Sequence, residues 1–465
     1  MRVVLLLLVT CIFVGCTSDP SATASLSGSI SFLGTEDYSD VTVALYSSAY
    51  LDTTLVRINQ EYPHIGVIIS QETEFDHRLQ SPLSYAQTDA AGNFQINNIK
   101  PGKYNLAFLK DGISLKYLYD IILAEGENVQ QRIELNPSID ISTPITEPIT
   151  FKSGVQYNFM QNTVVISQAT VEPGAILAIS PQKKVEFLNN LNCPNEGYFK
   201  LTSSYSINEI IQSTMEDEHF FNNISVYGED YVDLHNVLLS FVGDGVSSIS
   251  PKTRLSNIVI DHNKCAIDIK GGEITIENIL NKNSTVTSIC VANGVQYSLN
   301  YFNAMNNISF NNSLNYEVLE MCSEISNNFF YKNDLSLKYY FAPESRLENN
   351  VFLYNVKSVD MRKSKVFISK NFFFENTETD IYFQYGSIMT VLSNNFYEKE
   401  NVYIYILPRK DLGQPLNNII DATNNFFIND DISNQIYDIH DNINCHYEVQ
   451  YKPRALTPIG DAGIK

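Results

Sequence analysis

An asparagine followed by Val, Ile or Phe recurs at Asn236, Asn257, Asn278, Asn307, Asn328, Asn350, Asn371, Asn395 and Asn425. The successive spacings are 21, 21, 29, 21, 22, 21, 24 and 30 residues. No other feature constrains the fold as tightly. A period near 21 with occasional additions marks a solenoid carrying loops, each repeat burying its apolar side against its neighbours. The residue after each anchor is a β-former, so the unit is a strand. The signature of leucine-rich repeats is missing. A second polar column stands five residues after the anchor: Asn283, Asn312, Asn333, Asn355 and Asn376, with His262, Glu400 and Asp430 in the same place. Asn tolerates left-handed corners, and stacked amides bond in ladders. The phrase "ISNNFFYKN" from Ile325 thus reads as one strand between two corners. The anchors from Asn257 onward form the expected ladder, and Phe329, Phe372, Phe396 and Phe426 the expected internal stack.

The run "VVISQATVEPGAILAISPQKKVEF" from Val164 alternates short apolar stretches with Pro-Gly and Ser-Pro turns. The run from Ala422 to Pro453 joins an Asn-Asn phrase to an acidic segment and a final "V-x-Y-x-P". Together with the repeat, they resemble right-handed parallel β-helix proteins over residues 155–455. That resemblance implies a solenoid of about twelve coils, about 55–60 Å long at the strand spacing of stacked coils. It implies no single activity, because the fold hosts lyases, hydrolases, epimerases, adhesins and inert scaffolds.

The N-terminal "MRVVLLLLVTCIFVGC" has one basic residue and then an apolar run too short to span a bilayer. "FVGC" resembles the bacterial lipoprotein box, which implies a signal peptide over 1–15, lipidation at Cys16 and a polar tether over 16–25. The expected location is the cell envelope, at the outer membrane or cell surface, with the lipid anchor as membrane partner. The formal charge of −21 opposes a polyanion, so nucleic acid is excluded as a partner. Five cysteines remain beyond Cys16, an odd number with no zinc spacing. They read as small buried hydrophobes.

Alternating strands start at Leu26. Asp89 and Gly92 mark one hairpin turn and Pro101-Gly102 the next, with Phe94, Ile96, Tyr104, Leu106 and Phe108 pointing inward. Gly28, Thr88-Asp89, Gly92-x-Phe94, Pro101-Gly102-x-Tyr104 and Gly112 resemble the carboxypeptidase regulatory-like family. This implies an accessory transthyretin-like β-sandwich over 26–135. The stretch holding His64 and His77 is longer than that family needs and reads as an insertion or extra hairpin. Residues 136–154 read as a linker and 456–465 as a tail. The fold class is all-β: a sandwich followed by a solenoid.

"NIVIDHNKCAIDIK" carries the sharpest chemical hint. A pectate-lyase-like site needs a basic proton abstractor and acids on calcium. Asp261 and Asp268 would hold the ion, with His262, Lys264 or Arg254 nearby. The Arg-rich lyase signature is absent, and His262 also fits the corner column. No Gly-His-Gly phrase supports a hydrolase. His440, Cys445 and His446 are metal-ligand types without a matching partner. The acids at 216–218, 229, 230 and 233 suit a cation or glycan-hydroxyl site or a solvated acidic loop, and the tyrosines Tyr382, Tyr385, Tyr403 and Tyr405 suit sugar stacking or plain sheet surface. The reading is a monomeric, non-enzymatic binding or structural protein for a glycan or protein partner. It has no cofactor. The alternative is a polysaccharide lyase or glycoside hydrolase, with Ca2+ involved only in the lyase case.

Overall fold

The computed structural model describes residues 23–32, 37–204, 220–293, 300–384, 386–397, 401–408 and 418–465. Cys16, Glu400, Tyr385 and the acids at 216–218 lie outside these residues. Strands make up 54% and helices 5%, so both parts of the molecule are β-built.

The first unit consists of two sheets. One orders its strands as Asn93–Ile99, Ala24–Phe32, Asn128–Leu135; the other as Ser84–Gln87, Thr42–Ser47, Gly102–Leu109, Lys116–Leu123. Phe94 and Ile96 are buried from one sheet and Leu106 and Phe108 from the other. The Phe94 and Phe108 rings meet edge-on at 6.4 Å. The Asp89 carboxylate accepts the backbone N–H of Asn93 at 2.8 Å and closes the hairpin.

The second unit is a parallel β-solenoid of about 11 turns. One coil shows its plan. Asn300–Met305 forms the first face, Ile308–Phe310 the second and Leu314–Leu319 the third. Each strand pairs in parallel with its counterpart one coil on: Tyr301 with Cys322, Ile308 with Phe329, Leu314 with Leu335. The stretch expected as a linker already contributes strands, because Ile139–Ile141 pairs with Gln156–Phe159 and Ile149–Phe151 with Ala169–Val171.

Each corner uses two residues, and this corrects the asparagine register. The first is left-handed and the second carries the ladder. Between the first two faces, Asn306, Asn327, Asn349, Lys370, Ser393 and Asn424 have φ between 54° and 59°. The ladder itself runs through Asn307, Asn328, Asn350, Asn371, Asn394 and Asn425, each amide donating to the next side chain at 2.8–3.0 Å. Asn257 and Asn278 are left-handed corner residues instead (φ 52° and 54°), and buried Ile258 and Ile279 hold their ladder positions. Asn395 is one residue late: it pairs with the backbone of Ile459. Both corner positions favour Asn, so an Asn-Asn doublet leaves the register open.

The phenylalanine stack shifts with it. The internal rings are Phe330, Phe352, Phe373, Phe396 and Phe427, with centroids 4.8, 4.8, 4.8 and 5.1 Å apart. Phe329, Phe372 and Phe426 point outward, since a slip of one residue in a strand exchanges its faces. Only Phe396 stands where expected. The tail folds back: Ile459 donates to the Asn395 side chain and Gly463 to the Lys370 carbonyl, both at 2.7 Å.

Candidate functional site

The second face is apolar on its outer side as well. Its outward column, Val259, Leu280, Ile308 and Phe329, is buried. The cover is residues 49–81, which belong to the solenoid unit and carry three short helical segments joined by loops; they form no hairpin. Asp52 caps the helix Thr53–Glu61 by accepting from Thr54 and Leu55 backbone N–H groups. That helix lays Leu55 and Ile58 on the column, followed by Ile65, Val67 and Ile69. Asn59 ties the following loop by bonding Ile65, Val67 and Ile69 main-chain groups. Gly66 (φ 65°) donates to the Asn306 carbonyl at 2.7 Å. A Cβ there would stand 2.7 Å from Ile308 Cγ1, so only glycine permits this approach.

Two ion clusters pin the strap. Arg78 forks onto Asp76, with Nε to Oδ1 at 2.9 Å and Nη2 to Oδ2 at 2.7 Å. It also reaches the Ser203 carbonyl and the Thr202 hydroxyl, and stands over the Phe241 ring. Lys200 Nζ adds a contact to Asp76 Oδ2 at 3.0 Å. Burial would raise the Asp76 carboxyl, but Arg78 and Lys200 hold it well below the usual range. His77 is buried, and burial lowers it to about 3; His64 is exposed.

The second cluster contains the lyase candidates. Lys282 Nζ lies 2.7 Å from Glu74 Oε2 and 3.2 Å from Asp261 Oδ2, with its side chain 3% exposed. Asn283 donates to Asp261 Oδ1 at 2.8 Å, and His262 Nδ1 lies 2.6 Å from the same oxygen. Burial would push the Asp261 carboxyl up, but His262 and Lys282 hold it well below the usual range. His262 is a left-handed corner residue (φ 53°) stacked on Phe241. Asp268 stands on the third face, on the strand Cys265–Lys270, so the structure does not bring it together with Asp261. Arg254 pairs with Glu277 and Asp233.

The sequence alone did not bring Asp76, Arg78 and Lys200 together, nor Glu74 and Lys282. The available signal was "ETEFDHR", the densest set of charges in the insertion.

The third face carries one unbroken outward column: Asp268, Cys290, Glu317, Lys338, Asp360, Tyr382, Tyr405 and Tyr437. Its tyrosines stack at 5.3 and 4.8 Å. Tyr403 points inward and is buried. Asp360 accepts from Gln384 Nε2 at 3.0 Å, and burial pushes its carboxyl up. Lys338 pairs with Glu317 at 2.7 Å, and Lys357 Nζ stands 5.3 Å from the Tyr382 ring centre. Near the early coils, Asn189, Asn190, Tyr227, Glu229, Asp230 and Tyr231 line a cleft of about 520 Å³.

Among the described residues, no three His, Cys, Asp or Glu side chains converge as a metal group. Cys445 is buried and its thiol donates to the Ile406 carbonyl; His440 is 73% exposed. Cys193, Cys265, Cys290 and Cys322 are half-buried and, like Cys445, form no disulfide.

Residues 68–131 match the family model "Polysaccharide lyase family 4, domain II". No match was found among curated proteins. Among solved structures, the chain aligns with GBS52, the minor pilin of the Gram-positive pathogen Streptococcus agalactiae, at 15% identity and a TM-score of 0.15. The alignment covers 25% of this chain and 45% of the pilin chain.

Proposed function

We propose that this protein is a carbohydrate-binding component of the bacterial cell envelope that performs no chemistry on its ligand. The outward column of the third face carries the reading. Lys338, Asp360 with Gln384, and three stacked tyrosines present hydroxyl, amide and charged groups on successive rungs of a rigid sheet. Rigid tyrosines offer amphipathic contact area at low entropic cost. The match of residues 68–131 to a domain of polysaccharide lyases supports a carbohydrate setting. The sealed Asp261–His262–Lys282 cluster supports a structural role for the strongest lyase candidates. Lipidation at Cys16, a transthyretin-like accessory module over 26–135 and the absence of cofactors belong to the same proposal.

A polysaccharide-active enzyme is the second reading. It is favoured by Asp360, a carboxyl pushed up by burial two rungs from Glu317. One assay separates the two. The full chain is incubated with neutral and acidic polysaccharides, with and without calcium, and both co-sedimentation and released reducing ends are followed. Binding without release is expected. Release from any polymer overturns the non-catalytic reading, and no binding to any polymer overturns the carbohydrate reading.

A further inference from the structure

Lys282 is a buried amine held between two carboxylates from distant parts of the chain. We infer that Lys282 Nζ and the Glu74 carboxyl condense to an intramolecular amide, a covalent bolt between residues 49–81 and the solenoid, with Asp261 as the anion that positions the amine. The geometry carries this. Nζ stands 2.7 Å from Glu74 Oε2, 3.2 Å from Asp261 Oδ2 and 3.4 Å from the Thr73 carbonyl. The side chains of Lys282, Asp261 and Glu74 are 3%, 13% and 16% exposed. Phe310 pairs with Lys282 one coil on, and Leu280 and Ile308 line the adjoining apolar column. Amine and carboxyl are therefore fixed in contact in a site that holds back water.

The step balances without a co-reactant. The Glu74 carboxylate takes one proton from the Lys282 ammonium across their 2.7 Å contact. The free amine attacks Glu74 Cδ in its protonated form, a C–N bond forms, and one oxygen leaves with two protons as water. Fixed proximity is worth an effective concentration of about 10⁵–10⁸ M, which speeds attack of the amine on the carboxyl. The buried ion pair also loses its hydration, and the neutral amide removes that cost. The division of roles follows the environments of the two acids. Burial pushes Glu74 up toward the neutral form, so it is the carboxyl that takes the proton and is attacked, whereas His262 and Lys282 hold Asp261 well below the usual range, as an anion that keeps the amine in place.

Tryptic mapping of the full-length protein, unfolded before digestion, tests this directly. The expected product joins the peptide 58–78 to the peptide 271–332, uncut at Lys282 and one water lighter than the sum. Lys282→Arg abolishes it, and Asp261→Asn slows its appearance at least tenfold in freshly made protein. Separate peptides 58–78 and 271–282 from the wild-type chain overturn the inference and leave an ion pair. A link from Lys282 to Asp261 overturns the assignment of Glu74.

Discussion

Asn350 Oδ1 receives two hydrogen bonds from Asn328, one from the side-chain amide and one from the backbone N–H, each 2.9 Å long. Asn350 repeats the pattern one coil on, donating both groups to Asn371 Oδ1. Each buried amide satisfies one orphan main-chain donor of the preceding corner. Asn350→Ala leaves the Asn328 N–H and amide without that acceptor, at a cost of about 2–4 kcal/mol. Urea unfolding followed by circular dichroism measures it. A loss below about 0.5 kcal/mol would mean that water replaces the ladder.

Two adjacent phenylalanines test the register. Phe373 is fully buried in the internal stack, whereas Phe372 is half-buried on the outer side. Phe373→Ala should cost about 3–5 kcal/mol, the range for a core Phe. Phe372→Ala should cost less than half as much. Equal losses would contradict the inward assignment.

The strap should respond to a charge placed beneath it. Ile308→Asp buries an unpaired carboxylate under Gly66 and Leu55. Cleavage after Arg78, whose side chain is 4% exposed, reports the release. Native trypsin digestion should cut there at least tenfold faster in the variant than in the wild type.

His77 sets an acid limit. Burial holds it neutral down to about 3, against 6.5 for the free side chain. The folded state therefore binds fewer protons than the unfolded state between these values. Stability is complete above about pH 6.5 and falls as the pH drops toward 3, by at most about 1.4 kcal/mol per unit from this group. His77→Gln should flatten the slope of unfolding free energy between pH 6 and 4. An unchanged slope would mean that other groups govern acid unfolding.

The thiols should be slow. Burial pushes Cys193, Cys265, Cys290 and Cys445 up to about 12. Alkylation at pH 8 proceeds through the thiolate, so the native protein should react roughly a thousandfold more slowly at these positions than the unfolded chain. Peptide-level labelling over time measures this.

The repeat made the solenoid legible because a strand between two asparagine corners repeats in the letters themselves. Its register was not legible, for a physical reason. In "NNFFY" the residues on both sides of the strand are apolar: Phe330 faces the core and Phe329 faces the strap. Alternation, the usual sign of which side is buried, is erased. Within the first unit, Phe94 and Ile96 alternate with polar residues, and their inward side was readable. The ion clusters could not be read, since Glu74 and Lys282 meet across 208 residues. Asp261 and His262 were noticed as a pair, but only the structure gives them Lys282 as a partner.

A stacked solenoid on its own behaves as a one-dimensional array, in which unfolding starts at a weak coil and spreads from rung to rung. Residues 49–81 change that behaviour. They contact Lys200 and Thr202 in an early coil, Lys282 further on, and Asn306 and Phe329 beyond it. An opening at any one of these rungs must also detach a segment anchored to the others. These coils should therefore exchange their amide hydrogens as a single cooperative block.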